Sequence, residues 1–167
     1  MMIAIDGYEA NVGSRVGIGR YAYEILVHMH EEVKSVKLKA RSEYQNTRFK
    51  VYLPSEPLSD MPQETDWWQY RVIGPKPLWT FIGLPLALWR DKPEADVVFS
   101  PTHYVPRFIN TPRVMAIMDV SYLEYPQLFR VKDLHQLTQW TRYSVGRAAS
   151  ILTISKFSKD GIIKEYG

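Results

Sequence analysis

Between Ile3 and His30 the chain sets Gly13, Gly17 and Gly19 among Arg15 and Arg20, a combination whose natural chemistry is anion binding. The first backbone N–H groups of a helix have no intrahelical partner, and the helix dipole adds partial positive charge there. Glycines let the backbone approach a phosphate, and a guanidinium adds a forked, charge-assisted grip. The same residues would also serve plain turn geometry with solvated arginines, so the loop alone leaves both readings open. Two more candidates lie further along: His103, in the loop from Ser100 to Pro112, and Asp119, after the run Arg113 to Met118. In open parallel sheets ligands lie outside the carboxyl ends of the strands, which makes His103 a site candidate, with simple exposure as its alternative. A carboxylate ending a buried strand must be satisfied by N–H groups, a cation or a ligand hydroxyl, so Asp119 either contacts ligand or caps the following turn.

The elements that must position these residues read as alternating strands and helices. Ile3-Ala4-Ile5 is a short apolar run that meets Asp6-Gly7 before it could become a helix. Ile18, Ala22, Ile25, Leu26, Met29 and Val33 then fall on one helical face. Glu32 to Arg48 is a mixed-charge stretch expected as a solvated helix end and surface loop. Phe49 to Leu53 is a second strand stopped by Pro54, Ser55 to Asp66 a loop, and Trp67 to Ile73 a third strand, in which at most one of Trp67 and Trp68 can face the core, with the other exposed.

Leu78 to Trp89 is apolar throughout but broken by Gly83 and Pro85, so it cannot be one undisturbed helix. It covers a sheet face, or else forms an apolar wall for a lipid-linked acceptor or a membrane surface. Ala95 to Pro101 reads as a strand buried on both sides, Arg113 to Met118 as a fifth strand and Val120 to Phe129 as an aromatic loop. Leu134 to Val145 marks a helix, Ser150 to Ile154 a sixth strand, and Lys156 to Tyr166 a last helix capped by Ser155. The expected fold class is therefore α/β: a single Rossmann-like, doubly wound, mainly parallel sheet flanked by helices and spanning residues 1–167.

Several function classes fit poorly. A Walker loop needs Lys-Ser or Lys-Thr after its last glycine, where this chain has Arg20-Tyr21. Gly17 to Ala22 fits the looser dinucleotide pattern G-x-G-x-x-A. Its glycines, however, come well after Asp6, and the second strand ends in Leu53-Pro54 without the ribose-binding acid, which leaves an NAD-dependent dehydrogenase domain as the weaker alternative. There is no cysteine, no zinc-protease histidine pair and no G-x-S-x-G elbow, so neither a metal nor a cofactor is expected. A net charge of +3 with interspersed signs does not argue for nucleic acid. With no signal-like segment after Met1-Met2 and no bilayer-length apolar run, the expectation is a cytoplasmic protein.

Four segments resemble a known family in the order in which they occur there: Gly17-Ile18-Gly19-Arg20-Tyr21 opening the first helix, Asp96 to Pro101, Ile117 to Tyr122 with Tyr125-Pro126, and Ala148 to Ser158. Together they are similar to the N-terminal domain of family 4 glycosyltransferases, the retaining group of GT-B fold. The resemblance implies two Rossmann-like domains across a cleft, the first binding mainly the acceptor and the second most of the nucleotide sugar. This chain stops at Tyr166-Gly167, where the family's linker begins, and the paired-glutamate motif of the second domain has no match. What is implied is thus an acceptor-side half that needs a C-terminal domain in cis or in trans and is inactive alone.

Its implied work is transfer of a hexose from a nucleotide-diphosphate sugar to a glycan or lipid-linked acceptor, in the cytoplasm or at the inner face of the membrane, with peripheral membrane contact. Gly17, Gly19 and Arg20 would approach the donor phosphates, and Asp119, the implied catalytic residue, would line the cleft with His103 and contact sugar hydroxyls. The family usually has His-Asp where this sequence has Met118-Asp119, and methionine can neither exchange a proton nor donate a hydrogen bond. A non-catalytic carbohydrate-binding module is the rival that Met118 favours.

Overall fold

In the computed structural model, which describes residues 1–38, 46–74 and 76–167, the first strand, β1 (Met2–Asp6), is hydrogen-bonded on both sides. β2 (Arg48–Leu53) lies along one edge and β4 (Val97–Ser100) along the other. β3 (Trp68–Val72) extends the sheet beyond β2, and β5 (Arg113–Ala116) and β6 (Ser150–Leu152) extend it beyond β4. The order is β3-β2-β1-β4-β5-β6 and every pairing is parallel. The chain thus winds outward from β1 through β3, returns to the centre, and winds outward again. The topological switch lies between β1 and β4, and the crevice of a doubly wound sheet opens there, beyond the carboxyl ends of its strands.

Period-two alternation sorts the strand residues onto two faces. Ile5, Val51, Leu53 and Phe99 pack with Ala22, Leu26 and Val33 of α1 (Ile18–Leu38). Their neighbours Ala4, Tyr52 and Val98 pack on the opposite face against Trp79, Leu84 and Leu88. Those last three belong to a π-helical turn, Trp79–Gly83, that runs into α2 (Leu84–Arg90). The break expected at Gly83 and Pro85 takes this form: the Leu84 N–H reaches back to the Trp79 carbonyl, and Pro85 follows with no N–H to donate. A third cluster joins Met115, Ile117 and Val120 to α4 (Val131–Val145) and to Ile162 of α5 (Lys156–Tyr166). The Ser155 hydroxyl accepts the Ser158 N–H at 3.0 Å, the cap expected from the sequence.

Some boundaries differ from expectation. β5 stops at Ala116 rather than Met118 and β6 at Leu152 rather than Ile154. The Ile117 N–H donates to the Leu152 carbonyl at 2.9 Å, and the ladder ends there. The stretch expected as an aromatic loop contains the one-turn helix α3 (Ser121–Glu124) and a 3-10 turn at Pro126–Leu128. Trp68 is the fully buried member of the tryptophan pair, but Trp67 is only partly exposed, because α1 brings the His30 ring to 4.9 Å from it. The surface loop expected before β2 falls largely on 39–45, outside the described residues. Among the described residues no helix is long and apolar enough to cross a membrane.

Candidate functional site

At the switch point a pocket of about 290 Å³ opens beyond the ends of β1 and β4. β1 delivers Asp6 to its floor, the turn after β1 adds Tyr8 and Glu9, and the loop after β4 adds Thr102 and Tyr104. Trp79 and Thr80 come from the π-helical turn, while Gln136 and Trp140 descend from α4. Four separate segments therefore converge on one crevice, as the winding of the sheet requires.

Asp6 is 1 % exposed, and its Oδ1 accepts the Trp79 indole N–H at 2.9 Å and the Tyr8 backbone N–H at 3.1 Å. Burial pushes the carboxyl up to about 6, more than those two bonds pull it down, and the charge of Glu9 pushes in the same direction. Glu9 is itself raised by burial. The Tyr104 ring stands 5.4 Å from that of Trp140, and Tyr8 stands 5.5 Å from Trp79, so aromatic rings flank the two carboxyls. Carboxyl and amide groups that accept and donate to hydroxyls, beside rings that cover apolar C–H faces, suit a ligand with one polar edge and one apolar face.

The glycine loop borders this pocket. Gly17 holds φ at +49°, a left-handed conformation that favours glycine, and α1 starts at the next residue. A Cβ on Gly19 would lie 3.1 Å from the carbonyl oxygen of Glu9, so the helix start rests directly on the pocket wall. Two of the amides expected to face a phosphate are engaged locally, Gly19 N–H with the Val16 carbonyl and Tyr21 N–H with that of Gly17.

Arg15 is not the free anion grip its position suggested. Its Nε donates to the Ala10 carbonyl at 2.6 Å, its guanidinium forks onto the Asp60 carboxylate, and it stacks 4.0 Å over the Tyr23 ring. Asn11 makes a parallel tie, donating to the Glu56 carbonyl and accepting the Leu58 N–H, both at 2.9 Å. Both residues bind the glycine loop to the loop after β2. Arg15→Ala is expected to lower stability by about 1–2 kcal/mol, since it removes a charge-assisted fork and a carbonyl bond. Chemical denaturation measures this, and no loss would mean that the loop is held by other contacts. Arg20 remains exposed, paired with Glu24 one turn on and 5.6 Å from the Tyr23 ring.

His103 and Asp119 follow β4 and β5, at the same edge of the parallel sheet as the glycine loop. The His103 ring is 6.4 Å from that of Tyr104, and its Nε2 is buried with no hydrogen-bond partner among the described residues. Burial lowers its pKa, against a smaller opposing pull from the Asp119 charge. Asp119 itself is exposed and accepts the Ser121 N–H at 2.8 Å and the Ser121 hydroxyl at 2.5 Å, so it caps the turn into α3.

Sequence reasoning passed over Asp6, although the argument that singled out Asp119, a carboxylate ending a buried strand, applies to it with more force. Tyr104, Gln136 and Trp140 carried no such signal. Comparison with known proteins finds no matching family model, no matching curated protein and no matching solved structure.

Proposed function

We propose that this chain is the acceptor-side half of a glycosyltransferase, which seats a sugar in the pocket between β1 and β4. A second domain, in cis or in trans, holds most of a nucleotide-diphosphate sugar. The observation that carries this reading is Asp6, a buried carboxyl at the switch point among Tyr8, Trp79, Glu9 and Tyr104. In this reading Asp6 and Gln136 bond acceptor hydroxyls and the rings of Trp79 and Trp140 cover the apolar face of the sugar. The start of α1 at Gly17 and Gly19, with Arg20 one residue on, turns its remaining amides and a cation toward the departing diphosphate. Asp119 and His103 complete the cleft from the β5 and β4 side.

Titration calorimetry of the chain with a panel of mono- and oligosaccharides tests the acceptor half of the proposal. At least one sugar is expected to bind with Kd on the order of 1 mM or below, and Gln136→Ala to weaken it roughly tenfold, the worth of one to two hydrogen bonds. If no sugar binds, the pocket assignment fails. Sugar affinity without any transfer once a donor-binding domain and nucleotide sugar are supplied would favour a non-catalytic carbohydrate-binding module. One observation leans that way, since the Asp119 Oδ1 is committed to its own turn.

A further inference from the structure

The switch-point pocket carries more negative charge than a neutral sugar needs. Asp6 and Glu9 both line it, and burial raises both carboxyls. The charge of Glu9 raises Asp6 further, so the two stand near enough to repel. Neither carboxyl lies in an ion pair among the described residues. Lys76 lines the same pocket, but it is exposed and reaches neither of them as an ion pair.

Asp6 is half-satisfied. Its Oδ1 takes both the Trp79 indole N–H and the Tyr8 N–H, while its Oδ2 accepts no hydrogen bond from the described residues. The side chain is nevertheless buried and borders the cavity. A carboxylate oxygen withdrawn from water without a donor is costly, and a donor seated in the pocket removes that cost.

Three kinds of group could supply the donor, and they differ in charge and shape. A hydroxyl gives one hydrogen bond and leaves the repulsion between the carboxyls in place. A hard metal ion takes six or more oxygen ligands, whereas among the described residues no group of three or more His, Asp or Glu side chains is placed to hold one. An ammonium brings three N–H donors and a full positive charge to the two carboxyls. The walls favour it as well. The rings of Tyr8 and Trp79, and those of Tyr104 and Trp140, line the same cavity, and aromatic faces attract an organic cation.

We propose that the acceptor seated in this pocket is an amino sugar, its ammonium held between Asp6 and Glu9 and its ring packed on Trp79 and Trp140. The inference rests on the sugar reading of the pocket and narrows it: Gln136 bonds hydroxyls, and the two acids read the charge. An N-acetylated or hydroxyl-bearing counterpart leaves both carboxylates unanswered and is rejected on that ground.

Titration calorimetry of the chain at neutral pH with glucosamine, N-acetylglucosamine and glucose, and with the galactose series of the same three, is the test. The amino sugar of at least one series is expected to bind roughly tenfold or more tighter than its two neutral counterparts. Glu9→Gln keeps the shape of the side chain and removes its charge. It should weaken the amino sugar roughly tenfold with circular dichroism unchanged, and so erase the preference. Equal affinity for amino and neutral sugars overturns the proposal and leaves the sugar reading standing, as does a preference that Glu9→Gln retains. Cyclohexylammonium bound as tightly as the amino sugar, with every neutral sugar unbound, overturns both, because the pocket would then read an amine and no sugar.

Discussion

Gly7→Ala is expected to destabilise the chain by about 3 kcal/mol, the cost of forcing one methyl into a closed core. A Cβ at this position would meet Leu53 Cδ2 at 2.5 Å, Val51 Cγ1 at 2.7 Å and the Tyr52 carbonyl oxygen at 3.1 Å. The obstacle is not a flexible surface side chain. Val51 and Leu53 are fully buried β2 residues inside the α1-side core, and the Gly7 N–H is bonded to that same Tyr52 carbonyl at 2.9 Å. Relief would require moving the end of β1 away from β2, and with it Asp6 and the pocket floor. Denaturant unfolding should show the loss as a lower midpoint with an unchanged slope. An alanine variant as stable as the parent would mean that the β1 turn can shift without cost, and the rigid placement of Asp6 would have to be abandoned.

Asp6→Asn acts in the opposite direction on stability. The carboxyl has an ordinary value of 3.8, and burial raises it to about 6 in the fold. Between those values the folded state keeps a proton that the unfolded chain releases. The stabilisation from the protonated form is complete below about pH 4 and is lost as pH rises through about 6, a change of about 3 kcal/mol in all. Asparagine cannot ionise and still offers an oxygen to the Trp79 and Tyr8 N–H groups. At pH 8 the variant is therefore expected to be more stable than the parent by about 2 kcal/mol, with the decline between pH 4 and 7 removed. Unfolding measured at pH 5 and at pH 8 decides this. A variant less stable at pH 8 would show that the ionised carboxylate is the form the fold prefers.

The same substitution should weaken any sugar held above pH 6, because an amide nitrogen replaces one acceptor oxygen. Stability gained where binding is lost is the usual mark of a residue kept for its function.

Placing α1 required only a helical period beginning after glycine, and placing α5 required a serine three residues before its partner amide. Both were legible because capping and amphipathic spacing are local. The ends of β5 and β6 were not, since a strand stops where its neighbour stops, and Ile117 and Leu152 meet only through the pairing of distant segments. Arg15 was misjudged for the same reason: its partner Asp60 lies 45 residues away, across a loop whose path no spacing rule predicts. The tryptophan cluster around His30 was not legible either, because it forms only where α1 packs on the sheet face that carries Phe49 and Trp68.

The sequence by itself determined the α/β class, the alternation of strands and helices and the glycine loop after the first strand. These follow from periodicity and turn chemistry within a few residues of each position. Only the tertiary structure decided that Asp6, rather than Asp119, is the buried carboxyl, and that Tyr104 from the loop after β4 and Gln136 and Trp140 from α4 line the same pocket. Burial is a property of what the rest of the chain lays over a residue. An aspartate is therefore solvated three residues past the end of β5 and desolvated as the last residue of β1, where both neighbouring strands and the π-helical turn close around it.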